Sequence, residues 1–143
     1  MTAINRQAIV PYTPAQMYQL VDDVLRYPEF LPWCAASSEE SRNEDEVVAS
    51  LVLSFSGLQK SFTTRNRLQP NKMIEIRLVN GPFKHLQGFW QFDPLGDIGC
   101  KVTCSLEFEF NTPLLSSAFS KVFEHIARSL LEAFCQRAAA IYA

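Results

Sequence analysis

The chain has 143 residues, 48% of them hydrophobic and 20% charged, with a formal net charge of -2. That length fits one domain, residues 1–143, able to bury ~68–70% of its unfolded surface without metals or disulfides. The near-neutral balance excludes an acidic disordered chain and a strongly basic nucleic-acid binder, so no DNA contact is expected.

Residues 3–10 read as a strand. Residues 13–24 read as a helix: Thr13 with Gln16 makes a capping box, and Pro14 takes the first helical position. Met17, Leu20, Val21 and Val24 then follow at i, i+3, i+4 and i+7. Residues 27–33, punctuated by Pro28 and Pro32, allow at most one short helical turn.

A run of strands follows. In residues 47–55 the apolar face is Val47, Ala49, Leu51, Leu53 and Phe55. Residues 60–68 set Phe62, Thr64, Asn66 and Leu68 against Arg65 and Arg67. Residues 73–79 set Ile74, Ile76 and Leu78 against Glu75 and Arg77. Residues 85–92 set Leu86, Gly88, Trp90 and Phe92 against Gln87 and Gln91. Residues 101–110 alternate most cleanly, with Val102, Cys104, Leu106, Phe108 and Phe110 on one face. Such period-two alternation means antiparallel strands with one dry and one wet face. Turn signals at Asn43-Glu44-Asp45, Ser56-Gly57, Pro70-Asn71, Asn80-Gly81-Pro82 and residues 94–97 make the sheet a meander of hairpins. Thr112 and Pro113 then open a helix of thirty residues, ~45 Å long. Its apolar stripe is Phe119, Val122, Phe123, Ile126, Leu130, Ala133, Phe134 and Ile141.

The order of elements gives an α+β domain: a sheet of six to seven strands whose only large apolar cover is the C-terminal helix. A twisted sheet is wider than one helix, so it curls around it. The space left over becomes a cavity or is filled by aromatics, and eleven Phe serve either outcome.

Cys34, Cys100, Cys104 and Cys135 include no CxxC pair and read as reduced thiols. Nothing suggests a metal site. Residues 1–6 carry no signal or transit pattern, and no window approaches 18 apolar residues. The expectation is a cytoplasmic protein. Charge is uneven: residues 22–46 hold eight acids against Arg26 and Arg42, while residues 60–101 hold seven bases against Glu75, Asp93 and Asp97. Solvated strand faces account for this, and so does a basic face for an anionic partner.

The segment Asp23-Val24, Tyr27-Pro28, Phe30-Leu31-Pro32-Trp33-Cys34 resembles the "DV..YP.FLPWC" signature of the RatA / coenzyme Q-binding family. That family belongs to the START-like, polyketide cyclase/dehydrase superfamily. Residues 6–11, Thr63-Thr64-Arg65-Asn66, Asn80-Gly81-Pro82-Phe83-Lys84, Trp90 with Phe92, and residues 106–110 continue the resemblance across residues 4–142. It implies a helix-grip fold, a curved antiparallel sheet wrapped around a long C-terminal helix. It also implies two functions: a quinone-binding chaperone that supports respiration, or a bacterial ribosome association toxin that blocks joining of the subunits.

Catalysis by a cyclase or dehydrase needs an acid or base in the cavity. Among the inward strand positions only Thr64, Asn66 and Cys104 are polar, and GxSxG, HExxH and phosphate-loop motifs are missing. The reading is therefore a non-catalytic binder of an apolar ligand with no required cofactor, and ubiquinone or a similar isoprenoid quinone is the ligand expected. Its lining would be Phe55, Phe62, Leu68, Ile76, Trp90, Phe92, Leu106, Phe108, Val122 and Ile126, with Thr64 and Asn66 addressing a quinone carbonyl. A packed core, with Thr64 and Asn66 satisfying each other or the backbone, is the competing reading. Phe30, Leu31, Trp33, Phe83 and Leu115 would gate the mouth. Leu58, Phe83, Leu114 and Leu115 would form a rim touching a bilayer, placing the protein at times on the inner membrane. The alternative partner is the large ribosomal subunit, met by Arg65, Arg67 and Arg77 on the wet face.

Overall fold

The computed structural model describes residues 1–55 and 57–142. Ser56, half of one expected turn, lies outside the described residues. Seven strands form one antiparallel sheet: β1 (Thr2–Val10), β2 (Cys34–Arg42), β3 (Glu46–Phe55), β4 (Leu58–Gln69), β5 (Met73–Asn80), β6 (Phe83–Pro94) and β7 (Cys100–Phe110). Their spatial order is β1-β7-β6-β5-β4-β3-β2, so β1 and β2 are the two edges. The helices are α1 (Pro14–Asp22) and α2 (Pro113–Tyr142), with a 3₁₀ segment at Val24–Glu29. This is the helix-grip expected above. No helix among the described residues is long and apolar enough to cross a membrane.

The sheet bends where its ladder is interrupted. Register shifts fall between Thr63 and Thr64, between Phe83 and His85, and twice in β2. Each inserts a residue and increases the local twist. Gly88 adds to this in β6. A Cβ there would lie 2.1 Å from the Ser105 carbonyl oxygen and 2.8 Å from Leu106 Cδ2, so only glycine lets β7 approach so closely.

The helix expected over 13–24 ends earlier, at Asp22. Its start is as read: the Thr13 hydroxyl accepts from the Gln16 amide at 3.1 Å, and Gln16 Oε1 accepts from the Thr13 amide at 2.9 Å. Its end is fixed by side chains that take its orphan carbonyls. The Tyr27 hydroxyl donates to the Val21 carbonyl, and Arg42 Nη2 donates to that of Asp22 at 3.0 Å. Arg42 also binds the Asp22 carboxylate and, through two nitrogens at 2.8 Å each, Glu39. That cluster ties the end of β2 to α1, and its hydrogen bonds hold the Glu39 carboxyl below the usual range.

Along α2 the buried residues are Phe119, Phe123, Ile126, Ala127, Leu131, Phe134 and Ala138. The stripe is thus rotated slightly from the expected one, and Ile141 is exposed. Phe119 and Phe123 meet an aromatic group built from Phe62, Phe83, Phe108 and Phe110. Phe134 sits 5.0 Å from Trp90, 5.1 Å from Phe30 and 5.4 Å from Tyr27, each in an edge-to-face arrangement.

Candidate ligand cavity

Between α2 and the middle of the sheet lies a cavity of about 90 Å³. Strand positions supply Ala49, Leu51, Phe62, Thr64, Asn66, Ile76, Leu86, Trp90 and Leu106; α2 supplies Phe123, Ile126, Ala127, Leu130 and Phe134. Val24, Tyr27 and Trp33 line it from the 3₁₀ segment and the corner after it. Pairing explains why the strand residues meet. Ala49 lies opposite Thr64, Leu51 opposite Phe62, Asn66 opposite Ile76, and Ile76 opposite Gly88, which in turn faces Leu106. The missing side chain at Gly88 sits at the centre of these rows.

Seven of the twelve expected lining residues therefore face the cavity: Phe62, Thr64, Asn66, Ile76, Trp90, Leu106 and Ile126. Five do not. Phe55 is 45% exposed at the end of β3, in a groove outside the cavity that it shares with His125 and Ser129 of α2. Leu68 lies buried past the cavity, in the same packed group as Val47 and Ile74. Phe92 packs its edge on Tyr18, and Phe108 on Phe123. Val122 is half-buried beside the aromatic group on α2. Strand parity chose the right face for Leu68, Phe92 and Phe108 but carries no information on depth along the strand.

The gate residues divide similarly. Phe83 is a core residue, because the register shift beside it turns both Phe83 and Leu86 inward. It stacks on Phe110 at 4.8 Å. Leu115 is half-buried against the same group. Phe30 points to the far side of the 3₁₀ segment, where the Arg137 guanidinium lies 4.9 Å above its ring and bonds Glu29 at 2.6 Å. Leu31 is buried. Trp33 alone of the five lies at the cavity's border. With Ile126 it lines both the cavity and an outer groove of about 420 Å³ that also touches Phe55, Leu31 and Ala133. These two side chains stand between the cavity and that groove.

The lining is polar at Thr64 and Asn66. The Thr64 hydroxyl donates to Asn66 Oδ1 at 2.9 Å. That bond turns the Asn66 amide nitrogen into the spare donor, and among the described residues it has no partner. Tyr27 is the one titratable side chain of the lining; its hydroxyl is committed to Val21, and burial raises its pKa beyond the ordinary phenol range. Cys104 lies on the same inward face, and burial pushes its thiol up to about 12. Val24, Tyr27, Ala49, Leu51, Leu86, Phe123, Ala127, Leu130 and Phe134 escaped the sequence reading as lining residues. Phe134 stood in the helical stripe, but nothing in the pattern gave its level.

Arg65, Arg67 and Arg77 are exposed on the outer face, as parity required. Arg65 bonds Glu46 at 2.9 Å, Arg77 bonds Gln87 at 2.7 Å, and Arg67 lies in register between Glu46 and Glu75. Arg65 stands directly opposite Arg77.

The family described as "Polyketide cyclase / dehydrase and lipid transport" matches residues 10–135. A ribosome association toxin RatA of Pseudomonas aeruginosa is 44% identical over 141 residues, covering 99% of this chain and 98% of its own. The mitochondrial coenzyme Q-binding protein COQ10 of Drosophila melanogaster is 30% identical over 92% of this chain and 56% of its own. Among solved structures, the Zhui aromatase/cyclase from Streptomyces superposes with a TM-score of 0.87 at 16% identity, covering 99% of this chain and 96% of its own. The 18 kDa protein CC1736 of Caulobacter crescentus gives 0.77 at 33% identity, with 99% of both chains covered.

Proposed function

This chain belongs to the polyketide cyclase/dehydrase and lipid transport family, and from that premise we propose that it is a non-catalytic carrier of an isoprenoid quinone. The observation that carries the reading is the apolar cavity with one oriented, unpartnered amide donor at Asn66. A carbonyl on a weakly polar ring satisfies that donor, and the surrounding aromatics accept the ring face. The lining offers no carboxylate, imidazole or amine, so proton transfer to a bound polyketide has no obvious agent. The COQ10 relative is named for binding coenzyme Q.

The cavity is smaller than the ~150 Å³ that holds a benzene in a well-studied case. A quinone therefore enters only if the wall yields. Rotation of Trp33 away from Ile126 would join the cavity to the groove outside and give the prenyl tail its path. Solvent extraction of the purified protein, with mass spectrometry of the extract, tests this: a stoichiometric isoprenoid quinone is expected. An empty extract, with no quenching of Trp33 and Trp90 fluorescence when quinone is added, overturns it.

A second reading is docking on the ribosome, as the RatA relatives are named. The facing pair Arg65 and Arg77 favours it. Like charges directly opposite in a sheet destabilise it, and a phosphate lying between them would relieve the repulsion. Reversal of Arg65 and Arg67 to Glu should abolish ribosomal-subunit binding. Undiminished binding would remove this face from consideration.

A further inference from the structure

We propose that the end of the grip carrying the β3–β4 hairpin and the start of α2 docks on an anionic lipid bilayer. This deepens the carrier reading and rests on it for its purpose, since a quinone is collected from and returned to a membrane. At this end four apolar side chains stand in solvent: Phe55 at 45%, Leu58 at 50%, Val79 at 44% and Leu114 at 78% exposed. They come from the end of β3, the start of β4, the end of β5 and the first turn of α2, which the antiparallel meander brings to one end.

Exposure alone does not choose this end. Ile9, Leu25, Ile98 and Ile141 are equally exposed toward the other. Charge makes the choice. Around the proposed surface lie Lys60, Lys84 and Lys121, with Glu109 against Lys84 at 4.0 Å. Lys121 is only ~12 Å along the helix from its start. The opposite end sets Asp22, Asp23, Glu39, Glu44, Asp45, Asp93 and Asp97 against Arg26, Arg42, Lys72 and Lys101, and an anionic surface repels that acidic excess. The N-terminus of α2 adds the positive end of a thirty-residue helix dipole to the lysine side. Apolar side chains ringed by lysines match the two layers of an anionic bilayer, headgroups outside and acyl chains beneath. The groove behind Trp33 reaches Phe55, so docking here sets the wall of the cavity beside the lipid.

The test is flotation of the purified protein with vesicles of phosphatidylcholine alone, or with about one-third phosphatidylglycerol. Binding is expected to the second, weakened by salt. Leu58→Ser with Leu114→Ser should lower partitioning at least about tenfold, as should Lys60→Glu with Lys84→Glu. Ile98→Ser should leave it unchanged. All are exposed side chains, and a urea midpoint equal to wild type verifies the fold. Should the double serine variant misfold, Leu114→Ser alone carries the test. No binding to either vesicle, equal binding by the variants, or an equal loss for Ile98→Ser overturns the proposal. So does a wild-type dimer that the serine variant converts to monomer without lipid, which would make a second copy the occupant. Quinone quenching in solution is measured beside it: vesicle binding without quenching would sink the carrier reading and leave the docking surface standing.

Discussion

Replacing Thr64 by Val and Asn66 by Leu, singly and together, separates a ligand site from a packed core. The Thr64 hydroxyl and Asn66 Oδ1 satisfy each other at 2.9 Å, and the Asn66 nitrogen has no described partner. Thr64→Val strands the whole amide and should cost about 1–3 kcal/mol, the usual penalty for a buried polar group left unpaired. Asn66→Leu strands the Thr64 hydroxyl but also removes the spare donor, so its cost should be smaller. The double variant replaces both partners by apolar groups of similar shape, a change that is nearly neutral or stabilising. The singles should therefore sum to more than the double, with a coupling of about 1–3 kcal/mol. Urea unfolding reads the stabilities. Quenching of Trp33 and Trp90 by added quinone reads affinity, which should fall about 2- to 10-fold in the double variant for the loss of one hydrogen bond. A variant that is as stable as wild type yet binds more weakly marks the pair as retained for the ligand. Strictly additive stabilities, or an unchanged affinity in the double variant, would refute this reasoning.

Phe134→Ala, at a side chain 1% exposed and touching three other rings, should cost about 3–5 kcal/mol. Scanning calorimetry should show Tm lower by roughly 10–20 °C; a shift of a few degrees would mean that α2 closes the gap. Gly88→Ala should destabilise by about 1–3 kcal/mol in urea, because the atom met at 2.1 Å is backbone and cannot swing aside. Burial raises the thiols of Cys34 and Cys100 to about 11 and that of Cys104 to about 12. The folded state thus holds these protons more tightly than the unfolded chain, whose thiols titrate near about 8.5. Their stabilisation is complete below that pH and is lost as pH rises toward the folded values. Urea midpoints should fall from pH 8 to pH 11, and Cys104→Ala should flatten the decline.

Fold and site were legible to different depths. Five strands declared themselves by alternation, and the capping box at Thr13 and the long stripe after Thr112 fixed both helix starts. From these the grip follows. Strand β2 did not show itself, because Cys34-Ala35-Ala36-Ser37-Ser38-Glu39-Glu40-Ser41-Arg42 has no apolar period and two register shifts. Parity put Thr64, Asn66, Ile76, Trp90 and Leu106 on the face where the cavity lies. It could not say that Phe92 and Phe108 lie above and below the cavity, since depth depends on the register between strands. The position of Phe83 hinged on a shift between Phe83 and His85 that no local pattern announces. Tyr27 reaches the cavity only because its hydroxyl finds the Val21 carbonyl, a contact made after the chain has turned.

The sheet that wraps α2 never closes into a barrel, and its open edges bear on how the protein survives in a crowded solution. An edge strand presents unpaired amides and carbonyls to any passing strand, the usual start of aggregation. β2 answers with Glu39, Glu40 and Arg42, and with shifts that break the even spacing a partner would need. β1 presents Asn5, Arg6 and Gln7, all exposed. The features that make β2 a poor template for a foreign strand are the ones that conceal it from a search for alternation.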